Sequence, residues 1–320
     1  MRYLLALLII ILATPALAST PCPPGQGRQH GICTPMPSKA AQLPASSAAP
    51  VVVDPYELHP PLAPRDVTPT ATDAHKLKDA VIPAGLSYHD EIGKTRGYIV
   101  ATGGPVNNLL VERVKIDCRA TCLFLKRPGG PTTIRDVELF SSIVDTSNGY
   151  QAGLKLDNGQ HDVLIERAYV HDWIGTVPAN YPNRDCFGDE REDYNITFRY
   201  TRAARCTDGA YDLKSTGTLL DHTKADGPGR YAYRLWGGGK GTDVYASGQF
   251  HAGIQMKTTT DYTIAFWHNA SLMADADVVS DGVPTAGQLP VVHVAACDRP
   301  IVVHVAKGFT VDAGPTCRAK

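Results

Sequence analysis

Two kinds of strand-like segment recur along most of this 320-residue chain, and their recurrence limits the possible folds more than any other feature. The first kind has a large apolar residue, followed by apolar or small residues three and five positions later. Its copies start at Val111, Ile134, Ile165, Phe198 and Leu220, so they step by 23, 31, 33 and 22 residues. The second kind precedes the first in each repeat and alternates buried and exposed positions about a central apolar residue. Its copies are LFLK at 123–126, LKLD at 154–157, YDLK at 211–214, YRLW at 233–236 and IQMK at 254–257.

Two strand types at a fixed offset, repeating about every 20 to 30 residues, are typical of a solenoid. We therefore predict an all-β fold in residues 74–320: a single-stranded right-handed parallel β-helix with loop insertions on one face. A β-sandwich would show Asn-Gly hairpin signals between neighbouring strands, and these are nearly absent. A propeller blade would need a longer period with its own signature.

Two segments resemble the turn-and-strand sequence pattern of the pectate-lyase-like superfamily of right-handed β-helix proteins. They are GLKLDNGQHDVLIERAYVHDW (153–173) and CTDGAYDLKST (206–216). The resemblance covers roughly residues 95–270. It implies the fold but leaves the activity open, because this group includes lyases, hydrolases, epimerases and non-catalytic members.

The N-terminus is typical of an exported protein. Residues 1–18 combine Arg2, an apolar run from Leu4 to Leu12 and the small-residue step Ala16-Leu17-Ala18, which together predict a cleaved signal peptide. Residues 19–73 then read as a small Cys-bounded segment and a Pro/Ala/Ser-rich linker. We expect a secreted or periplasmic protein without a transmembrane segment, since no second apolar run of spanning length follows.

Eight cysteines in an exported chain indicate disulfides. Turns of the predicted solenoid stack about 4.8 Å apart, which a disulfide can bridge. Spacing therefore suggests four local pairs, although sequence alone does not fix connectivity: Cys22 with Cys33, Cys118 with Cys122, Cys186 with Cys206, and Cys297 with Cys317.

The formal net charge of −1 and the absence of a basic block make nucleic acid a poor partner. The exposed strand positions instead suggest an acidic polysaccharide. Stacking of the second strand type predicts two neighbouring columns of side chains, one with Phe124, Lys155, Asp212, Arg234 and Gln255, the other with Lys126, Asp157, Lys214, Trp236 and Lys257. From these columns and their border we select five substrate-binding candidates: Lys155, Asp157, Trp236, Lys257 and Tyr231. The oligomeric state stays open.

Asp212 and Lys214 are two apart on one strand and so face the same way, with Arg234 on the next turn. This trio resembles the site motif of chondroitinase-B-like and alginate polysaccharide lyases. The resemblance implies that Lys214 is the base, that Arg234 is its partner, and that Asp212 helps to bind Ca²⁺. Asp208 and Asp185 are further metal candidates. Asp185, Asp189 and Glu190 all lie near the preceding turn, but the segment FGDEREDYN (187–195) is too irregular to align, and only Asp185 is selected.

β-Elimination from a uronate needs a base and a group that neutralises the sugar carboxylate. A Lys flanked by Arg or a metal can have its pKa lowered enough to act as that base. We therefore predict a lyase of acidic polysaccharide. Two alternatives stay open: a non-catalytic carbohydrate-binding or envelope-associated β-helix, and a glycoside hydrolase that pairs Asp208 with Asp212. Tyr211 and Tyr233 are predicted to face inward and take no part.

Overall fold

The structure is a computed structural model in which some segments are described and others are not. The described residues are 108–117, 121–126, 128–142, 144, 151–175, 183–227, 229–257, 260–269, 276–280 and 290–318, with the backbone alone of strands 26–29, 32–35, 76–82 and 99–101. The chain divides into two compact units, residues 1–52 and 53–320. The predicted domain boundary at residue 73 lies outside the described residues. In the first unit, β1 (Gln26–Gln29) and β2 (Ile32–Pro35) form an antiparallel hairpin.

The second unit is all-β, with two parallel sheets and, in the described residues, one 3-10 turn at Pro315–Cys317. Sheet I contains β4 (Ile99–Ala101), β6 (Leu123–Leu125), β8 (Gln151–Leu156), β10 (Arg184–Gly188), β13 (Gly209–Leu213), β16 (Gly229–Leu235), β18 (Phe250–Met256), β20 (Ala276–Ser280) and β22 (Val303–His304). Sheet II contains β3 (Lys76–Ile82), β5 (Leu109–Asp117), β7 (Thr132–Phe140), β9 (His161–His171), β11 (Tyr194–Arg199), β12 (Arg202–Ala204), β14 (Thr218–Asp221), β15 (Thr223–Asp226), β17 (Gly239–Ser247), β19 (Tyr262–His268), β21 (Val291–Cys297) and β23 (Thr310–Ala313).

The chain passes back and forth between the two sheets, with β11 and β12, and likewise β14 and β15, following each other within sheet II. Each strand pairs in parallel with the equivalent strand of the next repeat. The predicted register is confirmed in sheet II, where Ile134 pairs with Val111 on one side and Ile165 on the other. Phe198 continues this row and pairs with Leu220. All five side chains are buried, because the alternating pattern turns them away from solvent.

Sheet II bends at one repeated position. Between the two apolar clusters of each repeat, one residue adopts a positive φ, and these residues stack on each other: Arg113 (52°), Asp136 (56°), Arg167 (46°), Tyr200 (51°) and His222 (55°). The left-handed conformation turns the chain sharply. This bend divides the later repeats into separate strands, β11 with β12 and β14 with β15.

The sheet I register also follows the prediction, with one correction. Asp212 pairs with Arg234, and Arg234 with Gln255, as expected for one column. The predicted column, however, placed Lys155 directly beside Asp212 and omitted one repeat. In the structure β10 lies between β8 and β13, so Gly188 stands between Lys155 and Asp212 in this column. The sequence pattern did not align this turn with the others, because the segment FGDEREDYN (187–195) is irregular.

Aromatic side chains stack in the core behind sheet I. Tyr211 and Tyr233 face inward as predicted, with ring centroids 4.8 Å apart. Phe187 extends the stack, 4.9 Å from Tyr211. Because these three rings fix neighbouring turns against each other, they hold the exposed residues of β10, β13 and β16 in register.

Two predicted disulfides are confirmed. Cys186–Cys206 and Cys297–Cys317 join Cα atoms 5.7 and 5.0 Å apart. Cys122 is also disulfide-bonded, while its predicted partner Cys118 and the predicted pair of Cys22 with Cys33 fall outside the side chains that the structure describes. Within the described part of the chain, no helix has the length and apolarity needed to cross a membrane.

Candidate active site

A pocket of about 400 Å³ opens on the exposed face of sheet I. Six of its ten lining residues are candidates from the sequence: Lys155, Asp185, Asp212, Lys214, Arg234 and Trp236. The other four are Ala152, Asn183, Gly188 and Glu190. The periodicity of the chain thus brings most of the predicted site into one cavity.

The pocket exists because Gly188 interrupts a column of side chains. Gly188 pairs with Lys155 on β8 and with Asp212 on β13, and contributes no side chain between them. A Cβ atom placed there would lie 3.6 Å from the Cβ of Ala152, which is an ordinary contact. The space above Gly188 is therefore open cavity.

Asp212 lies at the centre of the polar network. Its carboxylate accepts hydrogen bonds from Trp236 Nε1 at 2.5 Å and Arg234 Nη1 at 3.3 Å. The ammonium of Lys214 lies 3.5 Å away. These three donors come from the predicted columns and fix the carboxylate at the pocket wall.

Arg234 lines the pocket but is mostly buried, with its guanidinium hydrogen-bonded to neighbouring side chains. Its Nη1 lies 3.3 Å from the carboxylates of both Asp208 and Asp212, and its Nε donates to Gln255 at 2.9 Å. Asp208 is fully buried, and does not line the pocket.

This arrangement does not fit the predicted calcium site. The guanidinium of Arg234 lies between two of the three predicted ligands, Asp208 and Asp212. Among the described side chains, no group of three His, Cys, Asp or Glu residues is arranged to hold a metal ion. Calcium binding stays an untested prediction, and no step below depends on it.

Asp185 is a buried carboxyl at the pocket floor. It accepts a hydrogen bond from the backbone N–H of Gly209 at 2.8 Å. Burial raises the pKa of Asp185 well above its usual range, and the negative charges of Asp212 and Asp208 raise this pKa further, while Arg234 opposes them. Burial thus favours the protonated form of Asp185, while Asp212 accepts hydrogen bonds from Trp236 and Arg234.

Gly209 is required for this contact. A Cβ atom at Gly209 would lie 2.7 Å from Oδ1 of Asp185 and 3.3 Å from Cδ of Arg234. Any side chain there would displace one of the two polar groups.

The expected lowering of the Lys214 pKa is wrong for this geometry. Burial alone would lower it, but the negative charges of Asp212 and Glu190 outweigh burial, so the pKa of Lys214 is raised. Glu190 lies 3.2 Å from its ammonium. Lys214 is thus a firmly charged cation in the free protein, and its role as base stays an untested prediction.

Asp189, which the sequence places near the preceding turn but which is not a selected candidate, fixes the chain beside the pocket. Its carboxylate accepts hydrogen bonds from the backbone N–H and hydroxyl of Ser215, at 2.9 and 2.6 Å, and from the backbone N–H of Lys214. Burial raises the pKa of Asp189 to about 7. This residue fixes the chain that carries Lys214.

The remaining candidates lie around the pocket but do not line it. Lys257 places its ammonium 4.9 Å from the centre of the Trp236 ring. Tyr231 is mostly buried, with its ring 5.8 Å from the guanidinium of Arg234. Asp157 is half-buried beyond the pocket rim.

Glu190 and Asn183 are pocket residues that the sequence candidates omit. One signal could have located Glu190: Phe187, Tyr211 and Tyr233 step by 24 and 22 residues, which matches the repeat. Aligning Phe187 with the two tyrosines would have placed Gly188 and Glu190 in the two exposed columns.

No family model matches this chain, nor does any curated protein or solved structure. Its function must therefore be argued from the pocket itself.

Proposed function

We propose that the main body is a single right-handed parallel β-helix of the pectate-lyase-like kind, and that its pocket cleaves an acidic polysaccharide by hydrolysis. The parallel pairing throughout both sheets supports the first part, because crossover connections between parallel strands are almost always right-handed. The second part rests on one observation: two carboxyl groups, Asp185 and Asp212, line the same open pocket, and burial raises the pKa of Asp185 well above its usual range.

Hydrolysis of a glycosidic bond needs two carboxyl groups in different charge states. Asp185 gives its proton to the departing glycosidic oxygen. Asp212 takes a proton from the attacking water, whose oxygen becomes bonded to the anomeric carbon. Both groups then exchange protons with solvent. The raised pKa of Asp185 favours its role as the acid.

The acidic substrate follows from the cations of the pocket. Lys155, Lys214 and Arg234 all line it, and the indole of Trp236 offers an apolar face for a sugar ring. Ammonium and guanidinium groups favour anions such as the carboxylate of a uronate. The predicted signal peptide and the two disulfides agree with an exported protein, in a compartment where polysaccharides occur.

β-Elimination is a second candidate, favoured by the same cations, which can neutralise the carboxylate of a uronate. Lys214 would remove the proton next to that carboxylate, with Arg234 as its partner. Because the pKa of Lys214 is raised, this reaction would be slow at neutral pH and accelerate as the pH rises toward strongly alkaline values.

The test is an assay of purified mature protein on alginate, pectate, glycosaminoglycans and bacterial acidic exopolysaccharides, with and without Ca²⁺. Reducing ends that appear without ultraviolet absorbance indicate hydrolysis, whereas absorbance from an unsaturated uronate indicates elimination. We expect reducing ends alone, lost in Asp185→Asn and Asp212→Asn and kept in Glu192→Gln, a matched change at an exposed residue outside the pocket. Binding of a polymer without either product would instead favour the non-catalytic alternative.

A further inference from the structure

One side chain of the protein occupies the position between the two pocket lysines. Oε1 of Glu190 lies 3.3 Å from the ammonium of Lys155 and 3.2 Å from that of Lys214. The two lysines come from different turns, and both line the pocket together with Glu190. A single oxygen therefore joins two cations across the mouth of the pocket.

The carboxylate of Glu190 can leave this position without disturbing the backbone. Asp193 fixes the backbone of Glu190, because its carboxylate accepts from the Glu190 N–H at 2.9 Å and its own N–H donates to the Glu190 carbonyl at 3.1 Å. The Glu190 side chain is 28% exposed, against 18% for Lys155 and 19% for Lys214. Its departure breaks two ion pairs, which an incoming carboxylate can form again with the same two ammonium groups.

We infer that Lys155 and Lys214 form a subsite for the anionic group of an acidic sugar, and that Glu190 occupies this subsite in the free protein as a stand-in for the sugar's carboxylate. Binding of a uronate displaces Glu190 toward solvent and replaces one carboxylate by another. A neutral sugar cannot make this exchange, because it would take the Glu190 carboxylate away from both ammonium groups without supplying another negative charge. Glu190 thus sets the specificity of the pocket for acidic sugars.

The substrate class in this inference rests on the proposed function, but its test measures binding and not cleavage. The probes are glucuronate, galacturonate and mannuronate, with glucose, galactose and mannose as their neutral counterparts. Dissociation constants come from titrations of the protein followed by NMR at low and high salt. Glu192→Gln is the control, since Glu192 is exposed on the same turn and does not line the pocket.

Removing the competing charge in Glu190→Gln should tighten the binding of at least one uronate by about three- to tenfold, and high salt should reduce the gain. Glu192→Gln should bind like wild type, neutral sugars should show no gain, and Lys155→Met should lose the uronate. Unchanged or weaker uronate binding in Glu190→Gln would overturn the inference, as would failure of all three uronates to bind. Tightening without any cleavage activity would leave the subsite in place and refute only the proposed enzyme.

Discussion

Filling the gap at Gly188 should close the pocket without harming the fold. Gly188 lies in a strand without positive φ, and a Cβ atom there meets Ala152 Cβ at 3.6 Å and the backbone oxygen of Asp212 at 3.9 Å. Both are ordinary contacts. Replacing Gly by Ala within a strand stabilises a protein by roughly 0.5–1 kcal/mol, so we expect Gly188→Ala to unfold at higher denaturant concentration than wild type.

Gly188→Val tests the pocket more strongly. The three carbon atoms of a valine side chain would displace roughly three water volumes of about 30 Å³ each. They would project between Lys155 and Asp212 into a pocket of about 400 Å³. We expect weaker substrate or uronate binding by a factor of about ten or more, equivalent to ~1.4 kcal/mol, with Gly188→Ala in between.

The assays are urea denaturation for stability, and uronate titration or cleavage for function. Gly209→Ala is the contrasting variant, because its Cβ would lie 2.7 Å from Oδ1 of Asp185; it should lose function through the displaced carboxyl. Wild-type binding and activity in a stably folded Gly188→Val would refute the assignment of this pocket. A loss of stability in Gly188→Ala would refute the packing argument.

Three further predictions concern stability, pH and the second reaction. Replacing Cys186 and Cys206 by Ser should lower the free energy of unfolding by about 3 kcal/mol, the value for a loop of this length, and an equal midpoint in urea would contradict this. Asp189 has a raised pKa, about 7 in the folded state, so folding favours its protonated form, and its contribution to stability is present at low pH and lost as the pH rises through 7. Wild type should therefore lose about 2–3 kcal/mol relative to Asp189→Asn between pH 5 and pH 8, and parallel pH profiles would show that Asp189 does not titrate there. Any elimination activity should rise with pH beyond neutrality and disappear in Lys214→Met, whereas a profile that falls above neutral pH would exclude Lys214 as the base.

The features of this structure that could be predicted follow from the repeat spacing of the sequence and from the alternation of side chains along each strand. Tyr211 and Tyr233 were expected inside, and Asp212 and Lys214 on one exposed face, because alternation along a strand fixes these directions. The same stacking rule predicted that Asp212 and Arg234 lie side by side. It also predicted Cys186–Cys206 and Cys297–Cys317, because each pair is separated by about one repeat.

The charge states could not be predicted in this way. Lys214 was expected near cations that lower its pKa, but its close neighbours include Glu190 from the turn after β10. The buried Arg234 is paired with Asp208, which precedes β13 and lies outside the two repeating strand patterns. The raised pKa of Asp185 depends on the position of β10, and the sequence marks this strand only by the step Phe187-Gly188. Such properties follow from side chains that meet across turns, and a column alignment does not include them.

The most direct test of the central claim is the mass of the products. Wild-type protein is incubated at neutral pH with a defined acidic oligosaccharide that it cleaves, in water enriched in ¹⁸O, and the fragments are analysed by mass spectrometry. Hydrolysis by Asp185 and Asp212 predicts two fragments whose masses together equal the substrate plus one water, with ¹⁸O at the new reducing end. Fragments whose masses add up to the substrate alone, without the label, would show elimination and contradict the account.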